Sequence, residues 1–172
     1  MLYMDDSSLS GAESVASLKI KVKEKRFSNS EFIPEVIKFL QEGHTVTLQL
    51  HGFSMRPFLE DGRDKALLVK ASNPKVGAPV LAEVGSGRYV LHRIVKITGD
   101  EVVLRGDGNL GVEHCRLADI KGEALGFYRK GRQRLDKTNG LKWRTYSFFW
   151  MLLLPLRRYI LAVHRRVFIR KK

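Results

Sequence analysis

The sequence predicts a mainly β fold: a small coiled β domain with a short N-terminal helix before it and a basic amphipathic helical tail after it. Three observations carry this. Between residues 45 and 129, short alternating or apolar segments recur between Gly-rich turns, the pattern of a small all-β domain. At 172 residues, 44% hydrophobic and 28% charged, the chain is globular and of single-domain size. The charge is unevenly placed. Residues 129–172 hold 14 of the 31 Lys/Arg and only one of the 18 acids, Asp136. Residues 1–128 therefore carry 17 of each sign, and the net +13 belongs to the tail. A neutral body with a basic tail argues against a nucleic-acid-binding core and places the search for an anionic partner at the C-terminus.

The elements follow in chain order. Residues 1–30 read as a mobile segment, since the first 16 are Ser-, Asp- and small-residue-rich. Within it, Leu18, Ile20 and Val22 alternate with three lysines, as in an edge strand. Ser28-Asn29-Ser30-Glu31 fits a capping box, with Phe32, Val36, Ile37 and Leu40 at helical spacing and Gly43 as terminator. Val46, Leu48 and Leu50 alternate with Thr47 and Gln49. Two short apolar runs follow, at 66–69 and 79–84. Tyr89 to Ile97 reads as a longer strand, and Thr98-Gly99-Asp100 turns it into Glu101 to Arg105 as a hairpin. A last strand runs from Ala124 to Tyr128. The β domain with its helix thus spans 31–129. The polar stretch 130–141 reads as a linker, and 142–172 as the tail.

Three segments have chemical potential. In His51-Gly52-Phe53-Ser54-Met55-Arg56-Pro57 a serine follows a strand at a turn, where a hydroxyl is approachable and backbone N–H groups can face a ligand. In Val90-Leu91-His92-Arg93-Ile94, strand alternation puts Val90, His92 and Ile94 on one side and Leu91 and Arg93 on the other. An imidazole held on a rigid strand suits a general base, because its pKa is near neutrality. Arg105-Gly106-Asp107-Gly108-Asn109 reads either as a plain turn or as a turn presenting an acid to a histidine. Lys96, four residues beyond His92, is a rival base. Glu113-His114-Cys115 are adjacent, a poor spacing for metal ligation, and neither cofactor nor metal is expected. One cysteine, Cys115, excludes an internal disulfide.

The GxSMxP box, the VLHRI strand and the GDGN turn, in that order, resemble the serine peptidase family of signal peptidase I and the LexA-type self-cleaving repressors. The resemblance covers roughly residues 45–129 and implies the small coiled β fold of that family. It makes Ser54 the nucleophile and puts His92 where bacterial members use a lysine, as in the Ser-His variant of the endoplasmic-reticulum and archaeal enzymes. Asp107 matches the first downstream acid, and Glu113 lies close to the second. The implied chemistry is hydrolysis of a peptide bond in a peptide or protein substrate. Asp107, or Glu113, would hold the imidazole. A catalytically silent relative acting as a binding or scaffolding protein is the alternative.

The tail is read from composition. Phe148 to Leu156 is the longest apolar run, and nine helical residues reach ~14 Å against ~30 Å for a bilayer core. The N-terminal residues are acidic where an export signal is basic. Aromatics interleaved with arginines fit a helix lying in a headgroup layer. The expectation is a cytoplasmic chain, peripheral on the inner face of a membrane, with an anionic lipid surface as partner and no nucleic acid.

Overall fold

The computed structural model describes residues 29–164 and 166–167. The Lys-alternating segment at 18–23 and Ser28 of the capping box lie outside them. Helix α1 (Asn29–Gln41) buries Ile33, Val36 and Leu40. Its end closes over Gly43, where the His44 N–H reaches the Phe39 carbonyl at 3.0 Å. Phe32, expected on the core stripe, is instead 38% exposed.

Eight antiparallel strands form one curled sheet: β1 (Val46–Gln49), β2 (Lys65–Val69), β3 (Pro79–Glu83), β4 (Tyr89–Thr98), β5 (Glu101–Arg105), β6 (Glu113–Arg116), β7 (Ile120–Tyr128) and β8 (Leu135–Lys137). Their order across the sheet is β1-β2-β7-β3-β4-β5-β6. Strand β7 pairs with β2 along one side, and with β3 and then β8 along the other. Register shifts at Leu67/Leu68, Leu81/Ala82 and Ile94/Lys96 accompany the curl, as bulges bend and twist a strand.

Period-two alternation splits the core across the sheet. Leu81 packs with α1, Ala66, Leu68, Ala124 and Phe127 on one face. Its neighbours Val80 and Ala82 pack with Ile94, Val102, Leu104 and Cys115 on the other. Because β3 is covered on both faces, it reads as a continuous apolar run rather than as an alternation.

The C-terminal third differs from the expected linker and free tail. Strand β8 lies inside 130–141. Beyond it, α2 (Leu141–Leu152) packs back on the core, and α3 (Arg157–His164) meets the turn after β5 through Arg157. Trp143 joins the main core, edge-on to Phe58 at 4.7 Å and tilted against Phe127 at 4.9 Å. Trp150, Arg157 and Leu161 are buried as well. On α2 the buried or half-buried residues Trp143, Tyr146, Ser147 and Trp150 recur at helical spacing, which is one docked stripe.

Candidate active site

Ser54 lies in the loop between β1 and β2, and that loop is tied at both ends. At its base the Leu50 N–H bonds the Asp64 carbonyl at 3.0 Å, and the Gly62 N–H bonds the Leu50 carbonyl at 2.8 Å. Its apolar residues Met55, Phe58 and Leu59 are core. Asp64 is fully buried and accepts the N–H groups of Glu60 and Lys130, each at 2.9 Å, together with the Arg63 guanidinium. Burial alone would raise its pKa. Arg63 and the two amides outweigh that and hold the carboxyl below its usual range. The loop is therefore a rigid mount, with Ser54 half-exposed between exposed Phe53 and buried Met55.

The turn after β5 locks against this loop. The Gly108 N–H donates to the Ser54 carbonyl at 2.7 Å. A Cβ at Gly108 would come within 2.6 Å of the Phe53 carbonyl oxygen. One at Gly106 would lie 2.5 Å from the Ser54 carbonyl oxygen and 2.9 Å from His92 Nε2. Only glycine permits both approaches. Gly106 thus marks the point where the serine's own peptide and the outer imidazole nitrogen come side by side.

His92 is 3% exposed on β4. Its inner nitrogen Nδ1 meets Glu113 Oε2 of β6 at 2.6 Å. That approach is off the ideal hydrogen-bond axis, and neither atom has another partner among the described residues. The other carboxylate oxygen, Glu113 Oε1, accepts from Arg88 Nη1 at 2.8 Å. Burial holds the His92 pKa below its ordinary value, while Glu113 pulls it up by its charge and contact. At neutral pH the imidazole is neutral, the form a base requires.

Asp107 does not reach His92 as a partner. It is fully buried and forms a two-point pair with Arg93, at 2.9 Å to Nε and 2.7 Å to Nη2. The Tyr146 hydroxyl donates to it at 2.9 Å. Arg93 Nη1 also donates to the Gly77 carbonyl and to Ser147 Oγ. Burial alone would lower the Arg93 pKa, but the Asp107 carboxylate more than restores it. Burial and Asp107 push the Tyr146 phenol up, so it stays a donor. Of the two acids offered by the sequence, Glu113 sits at the imidazole, and Asp107 belongs to an ion cluster under α2. Of the two alternatives that the sequence left open for holding the imidazole, the geometry favours Glu113. The reason is that Arg93 projects from β4 opposite His92 and requires an anion there.

Ser54, His92, Asn109 and Glu113 line one cleft of about 980 Å³, together with apolar groups that include Ile33, Leu48, Leu50, Met55 and Leu91. Lys96, the rival base, is exposed beyond the β4 bulge and is not among the lining residues. The Ser54 N–H has no hydrogen-bond partner among the described residues, and no hydrogen bond joins Ser54 Oγ to His92 Nε2. Sequence reasoning missed Arg88, whose pairing with Glu113 spans 25 residues and had no local signal. It also missed the Arg157 clamp on the Gly106–Asp107 turn. Arg93, set by strand alternation beside apolar Leu91 on the face opposite His92, was the available clue to a buried acid. The chain matches no family model, no curated protein and no solved structure.

Proposed function

We propose that this chain is a serine endopeptidase of the signal peptidase and LexA type, with Ser54 as nucleophile, His92 as base and Glu113 as the positioning carboxylate. Ser54 Oγ attacks the scissile carbonyl carbon while its proton passes to His92 Nε2. The imidazolium, paired with Glu113, then returns that proton to the leaving amine, and water completes hydrolysis of the acyl-enzyme. The free Ser54 N–H is available to the oxyanion. The apolar cleft wall suits substrate side chains without charge.

The observation that carries the reading is the close packing at Gly106, which puts the Ser54 peptide and His92 Nε2 against one point while Glu113 occupies the opposite ring nitrogen. A silent scaffold is the second reading, favoured by the lack of a Ser54–His92 hydrogen bond. Catalytic hydrogen bonds are often long before substrate binds, so this weighs little. The test is digestion of a diverse peptide library by the full chain, with products identified by mass spectrometry. Cuts made by the wild type and lost in Ser54→Ala and in His92→Ala, by at least ~10³-fold in each, are expected. The double variant should be little worse than either. No wild-type cuts, or cuts that survive Ser54→Ala, overturn the assignment.

A further inference from the structure

The docked hairpin of α2 and α3 leaves a second apolar face outside. On α2, Phe148 (65% exposed), Phe149 and Leu152 (62%) stand opposite the buried Trp143–Trp150 stripe. Leu156 at the bend is exposed too, as are Tyr159 (61%) and Val163 (60%), which helical spacing puts on the side of α3 away from buried Leu161. Scattered exposed apolar side chains are ordinary, but a run of six along one hairpin marks a surface that takes a partner. Basic groups flank it: Arg144, Arg158 and Arg166 are exposed. The segment 129–172 carries one acid, Asp136, and that acid is already paired with Lys142 at 2.7 Å.

We infer that this outer face docks flat on an anionic membrane surface. The charge selects the occupant. A second copy of the chain would bring the same excess of positive charge to the contact and be repelled, whereas an anionic headgroup layer attracts it while the aromatics enter the acyl boundary. The docked side fixes the orientation. Among the described residues no single helix is long and apolar enough to cross a membrane, and the α2–α3 pair is bent by 116°. Arg157, at the bend, donates to the Gly106 carbonyl at 3.0 Å and to the Asp107 carbonyl at 2.6 Å. Crossing a bilayer would tear out that clamp together with Trp143, Trp150 and Leu161, so the hairpin lies along the surface with the β domain on its inner side. The inference is independent of the peptidase reading.

The experiment is co-sedimentation of the full chain with vesicles of phosphatidylcholine, with and without about 30 mol% phosphatidylglycerol. The expected result is binding to the anionic vesicles, weakened several-fold as salt rises from about 0.05 M to about 0.5 M, because screening shortens the reach of charge. Phe148→Ser/Phe149→Ser and Arg158→Glu/Arg166→Glu change exposed side chains only. Each should keep the wild-type thermal melt and lower vesicle binding by roughly tenfold. Three results would each overturn the inference: wild type that ignores anionic vesicles at low salt, binding unchanged in the phenylalanine variant, or a self-associated wild type that becomes monomeric in that variant.

Discussion

His92 and Arg93 are consecutive residues of one strand, yet they serve two regions of opposite character. On one face His92 meets Glu113 at the wall of an open cleft, with Arg88 on the far side of the carboxylate. On the other, Arg93 and Asp107 are each about 1% exposed by side chain and are enclosed by Trp143, Tyr146 and Arg157. The first acid–base pair touches solvent and can exchange a proton during a reaction. The second is sealed, two-pronged and further held by Tyr146, so its charges are fixed. A carboxylate near a histidine in sequence order is thus no guide to its role. The direction in which the adjacent strand residue points decides which acid is used for chemistry and which for architecture.

The sharpest way to break this contrast is to remove each carboxylate in turn. Asp107→Asn leaves the Arg93 guanidinium buried without an anion, a situation that costs about 3–5 kcal/mol. The urea midpoint should fall accordingly. Replacing both partners, in Arg93→Met/Asp107→Leu, should cost less than the single change, because the Arg93 charge then leaves with its anion and only Arg157, still bonded to the Gly106 and Asp107 carbonyls, keeps a buried charge. If Asp107→Asn melts like the wild type and only loses activity, the division of roles drawn above is wrong.

Glu113→Gln should behave in the opposite way. The carboxylate is 21% exposed, and its partners Arg88 and His92 remain solvated or neutral without it, so stability should change by less than about 1 kcal/mol. The amide cannot balance an imidazolium, and kcat should drop roughly 10²-fold with KM little changed. Equal loss of kcat and stability would make Glu113 a structural residue.

Much of this arrangement was legible in the residues. The β4 alternation, the β4–β5 hairpin and the boxes around Ser54 and Asp107 follow from local pattern, because period, turn chemistry and small residues are local properties. What escaped was set by distance. Strand β6 reads Glu-His-Cys-Arg, too polar to announce itself, since only Cys115 points into the core. The three residues of β8 gain their strand character from the β7 edge. Helix α2 is apolar on nearly every side, so composition gave no hint of which stripe docks and which stays outside. The choice between Asp107 and Glu113 required knowing that Arg93, 14 residues earlier, takes Asp107 on the far side of β4.

The smallest effect concerns Arg88, and it tests whether the cleft-side pair is tuned as the geometry implies. His92 is held below its ordinary pKa by burial, opposed by Glu113, with Arg88 adding a small push in the same direction as burial. A base with a depressed pKa is active above it and is lost as pH falls through it, so the rate should decline on the acid side only. The same depression stabilises the fold at pH values above the unfolded value near 6.5, and that contribution is lost as pH falls through the folded value. Arg88→Met removes a positive charge that disfavours the imidazolium and also frees Glu113 to face His92 alone. Both changes favour protonation, so the acid limb should move to higher pH. Arg88 is 60% exposed by side chain, which makes its field weak and screened. At pH 6 the variant should lose about twofold in kcat/KM relative to its own value at pH 8, and added salt should shrink the difference from wild type. An acid limb that moves to lower pH, or a shift that salt leaves untouched, would mean that Arg88 acts on His92 through packing instead of charge.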